Sequence, residues 1–482
     1  MCVRRRLDLD LSLSPVEVYD ALDADVILEG TQRGWETSYV GADPFESFRY
    51  SRSGDNPGDN GLGKLSDWLD SFEERFGATH ARAFGYIGYE ISGEIEDTVD
   101  VSTSSGSGSV SESESEPEYC LPDIAFDIYG TVVEIDDEVV ISTVEYPGES
   151  VPPERRAEEA KEALLDYDGF RRVGSDELDI TEIESNFTEE DYRKAVTDVK
   201  EYIREGDTFQ SNISQRLSFS TDADPLSLYA ELRRSDPAHY MGLLSYGEYA
   251  VVSSSPELLV RKRGDSISTR PIAGTRPRGD SSEEDERLER QLRDSSKEIA
   301  EHSILVDLAR NDLGKVSEYG TVEVDPFAEV EKYSEVQHLE SVVNGRKRDD
   351  ADLVDVIEAV FPGGTVTGAP KPRTLSVIDE AEPNERGPYT GSMGVIKPDG
   401  DMTLNILIRT VFKDGDEHYL HVGGGVVHDS DPKAEYDETL QKAEGSLKAL
   451  GLSKTQTETQ TQTEGSEEKT ETETETQTGL RQ

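Results

Sequence analysis

Cysteine is nearly absent: Cys2 and Cys120 are the 2 thiols in 482 residues. They give neither a disulfide framework nor a cysteine metal cluster. Basic residues are few, 49 against 103 Asp and Glu, for a net charge of -54. Such a surface repels nucleic acid and anionic membranes. Long apolar runs are missing as well. Arg4 to Arg6 imitate the start of a signal peptide, but Asp8 and Asp10 interrupt the segment that follows, and nothing approaches membrane-spanning length. The acid excess keeps a protein hydrated in high salt, where short Debye lengths screen self-repulsion. The expectation is a cytoplasmic protein of a salt-loving organism. A disordered acidic chain is excluded, because 34% of residues are hydrophobic and fall in periodic runs.

A chain of this length buries a large core in one domain or two. Residues 1–150 read as a first region. Strands are expected at 7–13, within Ala24–Tyr50, at Ala83–Glu90, Ile124–Val133 and Glu138–Val144, with helices at Leu65–Phe76 and Glu154–Leu165. Residues 102–118 hold Ser, Gly and Glu with little to bury, and read as a disordered insertion. A second region covers 187–450. Asp191–Arg204 is amphipathic and stops at Gly206. A strand FQSNISQRLSF, a helix near Leu226–Arg233 and strands near 241–244 and 249–253 follow. SSPE at 254–257 and RPIAGTRPRG at 270–279 read as loops, and Glu283–Asp312 as one long helix. Strands at Asn405–Phe412 and His418–Val422, a GGG turn at 423–425 and a helix Lys433–Leu450 close the ordered part. Residues 453–482 repeat Thr, Glu and Gln and read as a disordered acidic tail.

Phe361–Ile396 carries the densest glycine punctuation. Gly363, Gly364, Thr365 and Gly368 precede Lys371, and a second glycine turn surrounds Tyr389 and Gly391. Clustered glycines let backbone N–H groups approach an anion, and a lysine adds charge; two ordinary loops around a helix are the plainer alternative. The spacing is not that of a P-loop. Glu298 and Glu301, and again Glu435 and Glu438, stand at i,i+3 on expected helices. Facing each other, such pairs offer hard oxygen ligands for Mg²⁺; in so acidic a chain most glutamate pairs are hydrated surface. His338 sits among apolar residues and suits either acid–base work or a core position. Arg409, in the apolar run LNILIRTVF, needs an anion, from substrate or from the chain itself.

The stretches YIREGDTFQ, SSPELLVR, RPIAGTRPRG, KEIAEHSILVDLARNDLGKV, QHLESVVNG, FPGGTVTGAPKPR, RGPYTGSMGVI, LNILIRTV and GGGVVHDSDPKAEYDET, in this order, resemble the chorismate-utilising enzymes. GYIGYE resembles the amino-terminal half of the aminating members. The resemblance implies an α+β fold of two facing β-sheet layers with helices outside, and a Mg²⁺-dependent site. It implies Glu301 and Glu438 as Mg²⁺ ligands, supported by Glu298 and Glu435. Tyr389, Arg409, Gly425 and Lys442 resemble the contacts to the carboxylates of chorismate. Thr365 and Thr275 resemble ring-side hydrogen-bonding residues, Glu257 the acid that helps the C4 hydroxyl leave, and His338 the histidine near the reacting ring.

Water-using members carry a lysine base where Gln210 stands here, and an amide cannot deprotonate water. Ammonia is therefore the expected nucleophile, supplied by a separate glutamine amidotransferase subunit, since Cys2 and Cys120 lie in no nucleophile elbow. Two products remain. QSNISQRL, PYTGSMG and Gly30 in ILEG, where anthranilate synthases have a serine that holds inhibitory tryptophan, favour 4-amino-4-deoxychorismate. Ala273 stands where many aminodeoxychorismate synthases carry a lysine nucleophile, and favours anthranilate with release of pyruvate. The expectation is aminodeoxychorismate synthase component I, with anthranilate synthase component I as the alternative. An inactive regulatory paralogue ranks last, because its mark would be loss of metal or carboxylate-binding residues, and all of these are present.

Overall fold

The computed structural model describes residues 2–7, 13–30, 34–52, 60–77, 79–96, 119–170, 178, 180, 183–332 and 336–451. The expected insertion and tail lie outside them, as do residues 8–12 of the first expected strand, which here runs Cys2–Leu7.

Two long antiparallel strands, Ser38–Tyr50 and Ile124–Ile135, are the trunk of the fold. From the free edge of Ser38–Tyr50 a first sheet extends through Val26–Gly30, Tyr240–Ser245, Tyr249–Ser255, Thr410–Asp414, Glu417–Val426 and Gln210–Ser220. From the free edge of Ile124–Ile135 a second extends through Ala83–Ile87, Ser392–Ile396, Met402–Asn405, Leu258–Arg263, Ser266–Arg270 and Val343–Arg346. Strands from residues 1–150 thus pair with strands from 187–450 in both sheets. A separate three-stranded sheet joins Ile272–Pro277, Val336–Glu340 and Glu329–Lys332.

The two large sheets face each other because successive strand residues point to opposite sides. Val26 and Leu28 enter the same core as Phe84, Tyr86, Met393 and Val395 of the other sheet, while Ile27 turns outward. The outer face of the first sheet is covered by helices Pro15–Leu22, Pro153–Asp166, Pro225–Ser235 and Pro432–Ala449. Gly61–Phe76, Ser296–Gly314 and Leu353–Val360 cover the second. Among the described residues no helix is long and apolar enough to cross a membrane.

Several local expectations are corrected. The long charged helix is two, Ser282–Arg293 and Ser296–Gly314. Ser295 breaks it by accepting from the Glu298 N–H as an N-cap, which competes with helix continuation. RPIAGTRPRG is not a loop but holds the strand Ile272–Pro277, since Val336–Glu340 supplies its hydrogen bonds. Likewise Ser254 and Ser255 of SSPE end a strand. Gly423–Gly425 is no turn: it continues Glu417–Val426, paired to Asn212, Ile213 and Ser214, and the absence of side chains lets neighbours close over it. In AFGYIGYE the strand stops at Ile87 and a 3-10 turn Tyr89–Ile91 follows.

Phe84 is fully buried between the sheets and packs on Tyr39 and Tyr129. Phe84→Ala is expected to lower the unfolding free energy by about 3–5 kcal/mol, read from denaturant melts in molar KCl.

Candidate active site

The strands Gln210–Ser220 and Glu417–Val426, the helix Pro432–Ala449 and the three-stranded sheet bring most of the candidate residues into one neighbourhood. Gly425 lies beneath the Gln210 side chain: a β-carbon there would come within 2.6 Å of the amide Nε2. A β-carbon at Gly423 would meet Asn212 Oδ1 and the Tyr389 hydroxyl, each at 2.7 Å. Lys442 donates to the Gly423 carbonyl at 3.0 Å and pairs with Glu438 at 2.8 Å. Glu435 reaches back over Gly424.

The facing helix Ser296–Gly314 presents Glu301, half-buried. Its carboxyl is pushed up by burial, then by the negative charges of Glu298 and Glu438. Burial pushes Glu435 up as well, with Glu438 adding to it. Two helices thus aim carboxylates at one another with too little positive charge between them. Glu298 differs: it pairs with Arg276 at 3.0 Å and abuts Gly274, whose φ of 59° leaves no room for a side chain. Among the described residues no group of three or more His, Cys, Asp or Glu forms a closed metal cluster. Lys442 and Arg276 offset Glu438 and Glu298 in part, and the all-oxygen set that remains still fits Mg²⁺, which takes one or two carboxylates and completes its shell with water and substrate oxygens.

Thr275 lies opposite His338 in the three-stranded sheet, and its hydroxyl is 2.9 Å from His338 Nδ1. Burial, with the nearby Arg409 charge, lowers His338 to about 4, so the ring is neutral at pH 7. Ala273 precedes on the same strand, buried. Arg409 is not in a strand as expected. The chain leaves the sheet at Ile406 and Arg409 takes a φ of 51°. Its guanidinium is half-exposed and pairs with Asp236 at 3.1 Å, so the chain itself supplies one anion.

Glu257 is buried just before the second-sheet strand Leu258–Arg263, beside the Thr365 turn. Burial raises its carboxyl from the ordinary 4.5 to about 7; the nearby Thr365 hydroxyl opposes the shift. That hydroxyl is nonetheless not held in hydrogen-bond geometry by any protein group. Gln210 Oε1 and Asn212 Oδ1 are also buried without a hydrogen-bond partner among the described residues. Buried polar atoms left without a protein partner are the kind of group that a polar ligand satisfies.

Lys371 does not serve the glycine-rich segment. It is buried, donates to Asp312 at 2.9 Å and to the Val360 carbonyl, and so anchors the helix Lys371–Ala381. Sequence reasoning missed Arg386, which is 1% exposed. It clamps Glu382 at 2.6 and 2.9 Å and donates to the carbonyls of Asn212 and Val366. Its guanidinium lies under the Tyr389 and Tyr89 rings. An arginine inside an otherwise glycine-rich turn was the available signal.

A family model described as chorismate binding enzyme matches residues 24–448. Anthranilate synthase component 1 1 of Haloarcula marismortui is 55% identical over 57% of this chain and 56% of its own length. The chain therefore spans little more than half of that relative in this match. Aminodeoxychorismate synthase component 1 of Bacillus subtilis is 49% identical over 56% of this chain and 57% of its own length. The crystal structure of anthranilate synthase component I from Streptococcus pneumoniae is 28% identical, with a TM-score of 0.72 over 92% of this chain and 99% of that one.

The raised Glu257 carboxyl means that the folded chain holds that proton more tightly than the unfolded chain does. From about pH 4.5 to about 7 the unfolded state has released it and the folded state has not, so stability falls as pH rises and levels off above. Glu257→Gln removes this loss. Its unfolding free energy relative to the parent is expected to rise across that window and then stay flat. A pH-independent difference would mean that Glu257 is ionised in the fold.

Proposed function

The chain belongs to the chorismate binding enzyme family, and from this premise we propose that it aminates chorismate at C4 to give 4-amino-4-deoxychorismate. One observation carries the choice of ammonia. The buried amide of Gln210 lies over Gly425, where the water-using enzymes it resembles hold a lysine base, and an amide accepts no proton from water. Ammonia needs no such base. Its source is a separate glutamine amidotransferase subunit, as Cys2 lies in a strand and Cys120 is exposed in a bend.

Tyr389, Arg409, Lys442 and the backbone at Gly425 take the carboxylates of chorismate. Thr275, Thr365 and Ala273 line its ring. Glu301 and Glu438, supported by Glu298 and Glu435, hold Mg²⁺, which when bound neutralises and orients a substrate carboxylate. Glu257, protonated to about pH 7 by its burial, donates to the C4 hydroxyl, which leaves as water. Ammonia forms the new C–N bond, and the resulting ammonium returns its proton to the Glu257 carboxylate. Neutral His338, fixed by Thr275, offers a hydrogen bond at the ring and no charge. Ala273 carries no amine, so no lysine adduct intervenes.

Gly30 supports amination at C4. Any side chain there would meet Trp35 Cβ at 2.7 Å, and the Trp35 indole is itself packed on Tyr240 and donates to the Met241 carbonyl at 2.9 Å. A side chain at the place of the serine that holds tryptophan in anthranilate synthases would meet the β-carbon and backbone of this chain's own Trp35. The anthranilate reading is favoured by Ala273 and by the similar proteins of that name.

With chorismate, Mg²⁺ and ammonium in molar KCl, mass spectrometry is expected to find aminodeoxychorismate and no pyruvate. Anthranilate with pyruvate would overturn the C4 assignment. Added tryptophan is expected to leave the rate unchanged. Glu301→Gln and Glu438→Gln are each expected to lower kcat/KM more than about tenfold, or about 1.4 kcal/mol of transition-state stabilisation. Survival of activity in both would remove the metal assignment.

A further inference from the structure

Tyr389 stands in the loop Arg386–Gly391, and that loop is held from the other end of the sequence. Glu90, 296 residues earlier than Arg386, is buried in the 3-10 turn Tyr89–Ile91. Its Oε1 accepts the N–H groups of both Arg386, at 2.7 Å, and Gly387, at 3.0 Å. The Tyr89 N–H donates to the Gly387 carbonyl at 2.8 Å, and the Tyr89 ring covers the Arg386 guanidinium at 4.7 Å. Gly387 has a φ of 58°. Farther along, a β-carbon on Gly391 would come within 2.2 Å of the Ile87 carbonyl oxygen, so this face of the loop has no slack. Arg52 pairs with Glu385 at 3.3 Å and with Asp123 at 3.1 Å, adding a second tie just before the loop.

We propose that Glu90 is a positioning residue for chorismate: by holding two consecutive backbone N–H groups it fixes the loop that presents Tyr389 to a substrate carboxylate. The inference rests on the reading of Tyr389 as a substrate contact. Glu90 accepts both N–H groups, that of Arg386 buried and that of Gly387 half-buried, so a shorter side chain at 90 moves the loop or orphans them. A displacement of about 1 Å at a binding group is enough to change substrate affinity severely. Glu90 itself reaches no reacting atom.

The test compares Glu90→Asp, Glu90→Gln and Tyr389→Phe in the full chain, with ammonium as nucleophile. Glu90→Asp is expected to raise KM for chorismate about tenfold while kcat changes less than about threefold. Glu90→Gln, which keeps the oxygen in place, is expected to restore most of that KM. A merely structural role would lower the melting temperature and leave KM alone. A folded Glu90→Asp with the parental KM, alongside a raised KM in Tyr389→Phe, overturns this inference. An unchanged KM in Tyr389→Phe, with Glu90→Asp raised, overturns the assignment of Tyr389 instead. Should Glu90→Asp fail to fold, hydrogen exchange of the Arg386 and Gly387 amides in the parent decides. Exchange only through global unfolding is expected, and exchange as fast as a surface loop overturns the proposal.

Discussion

The buried guanidinium of Arg386 is the constraint on which the site's geometry depends. One planar cation, removed from water, has to satisfy all its donors inside the protein. It does so by taking the Glu382 carboxylate and the carbonyls of Asn212 and Val366. Those acceptors belong to three segments: the end of the helix that follows the glycine-rich turn, the strand carrying Gln210, and the turn carrying Thr365. A buried charge left without its partner destabilises a fold by about 3–5 kcal/mol, so moving any of the three segments away from Arg386 is costly. Glu382 in turn accepts the Ser214 N–H, which closes the network on the Gln210 strand.

Against that rigid frame the charged part of the site is deliberately unbalanced. The chain carries -54 overall, and among the described residues some surface carboxylates are paired, as Glu189 is with Arg193. Glu301 and Glu435 differ in being drawn toward each other's helix and away from water, which raises both carboxyls. Glu257 is raised for another reason, plain burial beside the Thr365 turn. One set of carboxyls is thereby suited to a cation and the other to a proton, from the same residue type, by environment alone. In molar salt the Debye length shrinks to about 3 Å, so the surface excess is screened while these buried groups keep their shifts.

The sheets explain why the loop at residues 386–391 depends on the N-terminal half. Ser392–Ile396 is paired with Ala83–Ile87, so the strand that leaves the loop and the turn that holds its start are neighbours. The first 150 residues are therefore built into the same sheets as the cleft, and a tie such as Glu90 to the loop requires only one turn of chain beyond the shared strand.

The sequence by itself determined most strands and helices, because periodicity is a local property, while the α+β class and the candidate site residues were implied by motifs that resemble a family. Asp191–Arg204 was legible from its apolar stripe and its glycine stop, and the helix observed is Glu189–Glu205 with Gly206 at φ 86°. Glu257, Glu301 and Glu438 were named from motifs resembling a family, and the fold brings Glu301 near Glu438. What tertiary structure alone decided is where each charge finds its partner. Lys371, legible as an anion-binding lysine, was claimed by Asp312 across 59 residues. Gly423–Gly425, legible as a turn, became strand because Asn212–Ser214 offered a ladder. Arg386 and Glu90 stood in no pattern that marks a hub, since their burial depends on partners 174 and 296 residues away, and sequence spacing carries no information about such pairings.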